Sequence, residues 1–430
     1  MSARIQALLD EGKLESLPGR DQDSSAVVVG AGKLNGIIVW VAASDASRAR
    51  GAIGIQEAAA LRALFRAARA APAPLLLCLD SAGANVEEGL AALGAFRRLF
   101  EDALQVRLAG IPMVALLGRA CFGGASLIAS LCHARVYSEQ TLLAVSGPRV
   151  IEALGGDSGL DASDRDAVRQ LMGGRARAQH HKTDVVAADA LDAFRAAATE
   201  IIQRQPSTQF DLERRHRDLR SRIRDLPSDL AAPAATQTLP VRRLVQLLPS
   251  GYAGSGKGAV VTATSTAEGL KPVFAGVLGG DAVGAAECWL LCEELLKLHA
   301  RDPACPMVLL LDATGHAATR RDEEIMLSDY LVHLSLTAAW LASRGHNIVL
   351  WIPGAAAGAV YVAFASPCSS VSALPSARIR ILPAAAMEQI VGFASSGDGD
   401  SLSLLKAEVI DAQLDARLNG YADVRDSGQQ

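Results

Sequence analysis

Aromatic residues are scarce in this chain: Phe, Trp and Tyr fill 4% of its 430 positions. A core with so few rings is built from Ala, Leu, Val and Ile, which suits helices packed closely on a sheet. An excess of basic charge is missing too. The net charge of −4 leaves no footprint for nucleic acid. The seven cysteines (Cys78, Cys121, Cys132, Cys288, Cys292, Cys305 and Cys368) are scattered, odd in number and make no CxxC pair. A reduced, cytoplasmic protein is therefore expected, not a disulfide framework. No spacing of His, Cys and carboxylates suits a metal ion, and no Ser-His-Asp triad can be assigned. The N-terminal "MSARIQALLDEGKLESL" reads as an amphipathic helix without the apolar centre of a signal peptide. Residues 345–365, "GHNIVLWIPGAAAGAVYVAFA", are apolar enough to span a bilayer. Pro353-Gly354 and the later glycines make them a strand, a turn and a helix instead, so no membrane span is expected.

What is present is a repeat. A chain of this length exceeds what one core usually serves. "GAIGIQEAAAL" from Gly51 and "DAVGAAECWLL" from Asp281 share small residues, a glycine and a glutamate that opens a helix; Glu57 and Glu287 are offset by 230. "LLLCLDSAGA" and "VLLLDATGH" place Asp80 and Asp312 at an offset of 232. "GIPMVALLGRACFGGAS" and "GHNIVLWIPGAAAGAV" place Gly118 and Gly354 at 236. Three segments in one order at nearly constant offset make two copies of one fold. The domains are expected over 1–205 and 236–430. Residues 206–235 are a charged helix and a linker, the helix carrying Phe210, Leu212, Leu219, Ile223 and Leu226 as a sparse apolar stripe. The basic run Arg214–Arg224 reads as a solvated face, with contact to an acidic carrier protein as the alternative. Within a copy, "PLLLCLD" and "PMVALLG" are short continuous apolar runs, and "VEEGLAALGAFRRLFEDALQV" has helical periodicity. Strands alternating with helices predict an α/β layered fold.

Two glycine-rich stretches imitate nucleotide motifs. "VVVGAGKLNG" has Asn35 at its third glycine position and continues as a strand, which predicts a hairpin through Leu34-Asn35-Gly36. "GYAGSGKG" has Gly258 where a P-loop needs Ser or Thr, and again a strand follows. Cys288 and Cys292, one helical turn apart with no His partner, are expected to pack. His180-His181 sits in a polar stretch and is expected in solvent.

The junction "GRACFGGASLIASL" joins a buried strand to a helix through Gly123 and Gly124. Adjacent glycines cost folding entropy. They can aim the unpaired N–H groups of a helix start into a cleft and let a ligand approach the backbone. They can equally serve tight helix–strand packing. A second donor is available from "DSAGA" after the neighbouring strand. Two such amides make an oxyanion hole, in which each donor typically lowers the barrier by about 2.7–4 kcal/mol.

"SAGANVEEG" (81–89), "CFGGAS" (121–126) and "SGPRVIE" (146–152) stand in the order and spacing of the carboxyltransferase branch of the crotonase superfamily. The N-terminal half is most similar to the β subunit of malonate decarboxylase, from "RIQALLDEGKLESL" to "GPRVIEALGGDSGLDASDRDAVRQLMGG". The C-terminal half resembles the γ subunit, through "DAVGAAECWLL", "ATGHAATRRDEEIML" and "HNIVLWIPGAAAGAVYVAF". The resemblance implies a β–γ fusion with two crotonase-like domains in tandem, each a spiral of ββα units. It implies decarboxylation of a malonyl thioester to an acetyl thioester and carbon dioxide. The thioester is carried on the phosphoribosyl-dephospho-coenzyme A arm of an acyl carrier protein, and a separate acyl-transferase subunit loads it. No cofactor is bound directly. Dimerisation is left open. The first hole is assigned to the N–H groups of Ala84 and Gly124, shaped by Gly83 and Gly123. Cys121, Ser146 and Arg149 border it as candidates for proton relay or carboxylate steering, packing and ion pairing being the other readings. Gly354, Gly358 and Ala359 are assigned to a second hole, whose turn "GAAAGAV" offers backbone donors only. Gly315 and His316 are its substrate-binding candidates, His316 as a polar substitute, with a core or surface histidine as the other reading. Two other functions fit the same residues: the carboxyltransferase component of a biotin-dependent system, and a paralogue that binds an acyl carrier without chemistry.

Overall fold

The structure, a computed structural model, describes residues 2–17, 25–154, 160–204, 210–225, 239–248, 250–266, 272–382, 386–387 and 400–414. The expected boundary at 205/206, Leu226 and the linker lie outside the described residues. Met1–Glu88, Ala95–Asp211 and Ala318–Asp329 form one compact unit; Gly89–Gly94, Leu212–Ala317 and Tyr330–Gln430 form another.

In the first unit the strands are β1 (Glu15–Ser16), β2 (Val27–Leu34), β3 (Ile37–Ser44), β4 (Leu75–Ser81), β5 (Met113–Phe122), β6 (Ala134–Tyr137), β7 (Leu142–Ala144) and β8 (Val185–Val186). Their order in the sheet is β1-β2-β3-β4-β5-β6-β8, with β7 on the far end of β5. The β2–β3 hairpin turns at Asn35-Gly36, both at positive φ as a two-residue turn demands, and the Asp10 carboxylate accepts both turn amides. The sheet is parallel from β3 to β8, and helices such as Ile55–Ala70 and Gly89–Leu108 carry the chain between its strands. On one face Val39, Val41, Leu76, Val114, Leu116 and Val136 meet Ala198, Ile201 and Ile202 of the helix Leu191–Gln203 in a core of small and branched aliphatics.

The second unit repeats the plan. Its strands are β9 (Tyr252–Lys257), β10 (Val260–Ser265), β11 (Val273–Gly280), β12 (Met307–Ala313), β13 (Ile348–Ile352), β14 (Ala355–Ala357), β15 (Ser370–Ala373), β16 (Arg378–Arg380) and β17 (Ala412–Gln413). The order is β17-β15-β13-β12-β11-β10-β9, with β14 and β16 as a separate pair. The P-loop look-alike is the β9–β10 hairpin. The apolar stretch 345–365 is β13, a turn and the helix Gly358–Ala365; among the described residues no helix is long and apolar enough to cross a membrane. The charged helix Leu212–Arg224 packs through buried Leu212 and Leu219, while Arg220 lies over the Trp289 ring. Arg214 and Arg217 stay in solvent. All seven cysteines are free and buried.

Candidate active site

The turn after β4 is tied down on one side. Ile53 donates its N–H to the Gly83 carbonyl at 2.8 Å and accepts that of Asn85 at 3.0 Å, and the Gly83 amide donates to Ser81 Oγ at 3.1 Å. At the end of β5, the Gly123 amide donates to the Val145 carbonyl at 3.0 Å. Ser126 closes the first turn of the helix Gly124–Leu131, donating from its hydroxyl to the Gly123 carbonyl at 2.7 Å. These bonds leave the N–H groups of Ala84 and Gly124 without an acceptor among the described residues. The two turns touch: a Cβ on Gly123 would stand 3.4 Å from the Gly83 Cα. Gly83 has φ +106° and Gly123 φ +56°, so both need the left-handed freedom that the sequence supplied. Asp80 fastens both strand ends. Its Oδ1 accepts the Ala120 amide at 3.2 Å, its Oδ2 meets Arg4 at 3.0 Å, and Gly118 leaves the space it fills.

The second unit carries the same wiring. Val283 donates to the Gly315 carbonyl at 2.9 Å and accepts the Ala317 amide at 2.8 Å, which puts the His316 amide where Ala84 has its own. Gly358, φ +53°, is the left-handed glycine at its helix start as Gly123, φ +56°, is just before the helix Gly124–Leu131, so Ala359 stands in the place of Gly124. Asp312 accepts the Ala355 amide at 2.8 Å and meets Arg243 at 2.6 Å. The His316 ring is half-buried, and desolvation pushes its pKa down to about 4.

The remaining expected residues separate. Cys121 is fully buried on β5, and burial raises its thiol far above the usual range, which leaves no thiolate. Ser146 is buried beside the first pair of turns; Arg149 is exposed, with no ion pair among the described residues. His181 corrects its expectation of solvent. Its Nε2 lies 2.6 Å from buried Asp329, and its pKa is lowered, first by burial and then by Arg135, against the pull of Asp329. Polar neighbours in sequence gave no hint of a partner 148 residues away. Among the described residues no group of His, Cys, Asp and Glu could hold a metal ion.

Sequence reasoning missed one cluster altogether. Glu323, from Ala318–Asp329, is buried in the first unit. Its Oε1 accepts the amides of Val145 at 2.9 Å and Ser146 at 3.0 Å, and its Oε2 meets Arg177 at 3.0 Å. Arg177 donates further to the carbonyls of Leu143, at 2.8 Å, and Glu323. Burial raises the Glu323 carboxyl while Arg177 and the two amides oppose it. Ser328 shares a hydrogen bond of 2.8 Å with Ser130, on the helix that Gly124 begins.

Residues 12–221 match the carboxyl transferase domain family, and residues 279–394 match the malonate decarboxylase gamma subunit family. The chain is 28% identical over 196 residues to the biotin-dependent acetyl-/propionyl-coenzyme A carboxylase beta6 subunit of Mycobacterium bovis, covering 44% of this chain and 38% of that protein. It is 29% identical over 143 residues to the malonyl-S-ACP:biotin-protein carboxyltransferase of Malonomonas rubra, covering 33% of this chain and 44% of that one. The chain thus spans less than half the length of these curated relatives. A crystal structure of a Pseudomonas malonate decarboxylase hetero-tetramer in complex with malonate aligns at a TM-score of 0.48 with 27% identity, over 54% of this chain and 91% of that one. The α/β fold with two sheets stands, and so does the similarity to malonate decarboxylase β and γ subunits joined in one chain.

Proposed function

We propose, from a carboxyl transferase domain followed by a malonate decarboxylase gamma module in one chain, that the protein decarboxylates a malonyl thioester. The observation that carries the reading is the pair of touching turns whose Ala84 and Gly124 amides have no acceptor among the described residues. Loss of carbon dioxide from a malonyl group leaves a thioester enolate. Its oxygen is the atom these two amides would receive, with the dipole of the helix Gly124–Leu131 adding positive potential. Both donors are backbone groups fixed before substrate arrives, so no reorganisation opposes the charge as it forms. The reaction needs no strong nucleophile, in keeping with the buried, protonated Cys121. We assign the steering of the departing carboxylate to Arg149, an exposed cation on the helix Pro148–Leu154. The thioester arrives on an acyl carrier protein through a phosphoribosyl-dephospho-coenzyme A arm, loaded by a separate transferase subunit.

A second reading draws on the duplicated wiring around Gly315 and Gly358, which would serve a second carbonyl oxygen. In that case the chain hands the carboxyl group to biotin on a carrier, as the name of the Malonomonas rubra relative describes for that protein. One experiment tests both. The full chain is incubated with malonyl thioesters on carrier protein and on coenzyme A, with and without a biotin carrier, and products are read by mass spectrometry. Acetyl thioester formed without biotin, and lost in a folded Gly124→Pro variant, supports the first reading. Turnover only with biotin selects the second. A bound thioester with no product in any condition identifies a binding paralogue without chemistry.

A further inference from the structure

We propose that Glu323 is a positioning residue for the first oxyanion hole: it holds the loop on which Gly123 rests, and it comes from the part of the chain that matches the gamma-subunit family. The inference rests on the reading that Ala84 and Gly124 receive the thioester oxygen.

The connection is short. Gly124 takes its direction from Gly123, whose amide is fixed by the Val145 carbonyl at 3.0 Å. Val145 and its successor Ser146 are in turn fixed by one carboxylate oxygen of Glu323, at 2.9 and 3.0 Å. The other oxygen meets Arg177, which also binds the carbonyl of Leu143 on β7, the strand that pairs with Ala120–Phe122 of β5. Arg177 and Glu323 are 1% and 0% exposed. Two apolar side chains of that volume would fill the space as well. What an apolar pair cannot supply is an acceptor for two consecutive amides, and an unmet buried amide moves to find one.

The test uses the full chain in two double variants. Arg177→Met with Glu323→Leu removes both charges and the acceptor. Arg177→Met with Glu323→Gln removes both charges and keeps an oxygen for the amides. The leucine pair is expected to lose about tenfold or more in kcat on malonyl thioester with KM within about twofold, the signature of a group felt in the transition state. Its Gly123, Val145 and Ser146 amides should exchange about tenfold faster with deuterium, as local opening becomes easier. The glutamine pair should recover most of both. Equal kcat and equal exchange in the two pairs would overturn the proposal. If the leucine pair does not fold, Glu323→Asp replaces it. It keeps the charge and withdraws the oxygens by one methylene, and wild-type kcat with wild-type exchange in that variant is again fatal. A wild-type protein that decarboxylates nothing removes the functional reading instead, and the exchange comparison still decides whether Glu323 holds the loop.

Discussion

A methyl group at Gly124 would overlap the ring of Phe96, so a side chain there has to displace that ring or the helix start. Gly124→Ala is therefore expected to push the helix start away and misalign its first donor. The loss in kcat should be about a hundredfold, the scale of one lost oxyanion donor, with KM little changed. Adding Phe96→Leu should return part of it; steady-state assays of both variants check this. His133 gives a second residue-scale prediction. Its Nδ1 accepts the Met113 amide at 3.1 Å, so the fold needs the neutral ring, and burial pushes its pKa down to about 3. The folded pKa lies below the unfolded one near 6.5. Its contribution is thus complete above about pH 6.5 and drains away as pH falls toward 3, by about 3 kcal/mol at pH 4. His316, pushed to about 4, adds in the same window. Thermal unfolding from pH 7.5 to 4 should show the fall, and His133→Gln should flatten part of it. Carboxylates such as Asp10 and Asp161, whose pKa values are lowered chiefly by hydrogen bonds, lose their contribution only from about pH 4 downward, at the acid end of that scan and beyond it.

At the scale of elements, the two copies differ in how much rests on one glutamate. Glu57 reaches back to the Gly54 amide at 3.1 Å and also accepts the Ala26 amide at 2.9 Å. Glu287 holds the Gly284 amide at 3.0 Å. Glu57→Ala strands three buried donors, the Gly54 and Ala26 amides and the Ser25 hydroxyl, and should cost about 2–4 kcal/mol, against about 1 kcal/mol for Glu287→Ala. Comparing the two variants by denaturant unfolding checks the asymmetry. These glutamates were legible in the sequence because both sit at the start of an apolar periodic run, 230 residues apart. The hairpins were legible from Asn35-Gly36 and from strands where helices should have followed. The touching turns were legible as glycines, since only glycine adopts such backbone freely. Glu323 was not. "RRDEE" looks like a solvated helix start, and pattern does not tell that Asp322 and Glu323 are buried while Arg320 is exposed. Burial of a charge is decided by partners distant in sequence, here Arg177, 146 positions earlier. His181 and Asp329 follow the same rule.

At the scale of the whole molecule, the first unit is not finished by its own half of the sequence. Residues 1–211 made alone lack Ala318–Asp329 and leave Arg177 buried without its carboxylate. Breaking such a pair from one side costs about 3–5 kcal/mol, comparable with the whole stability of many domains. That fragment is expected to be aggregated or loosely folded, and co-expression with residues 212–430 should restore native circular dichroism and a single elution volume. A fragment 1–211 with the amide protection it has in the intact chain would contradict this.

The borrowed segment also sets an order of events at the ribosome. The first unit lacks its last piece until residue 329 has been synthesised and has left the exit tunnel. At roughly 5–20 residues per second, the 118 residues from Asp211 to Asp329 delay completion by about 6–24 s. During that interval the nascent chain carries an unclamped Arg177 and an unanchored 145–146 loop, a form for chaperones to recognise. Two subunits made from separate messages would meet the same requirement only by diffusion. Fusion replaces that search with a fixed delay.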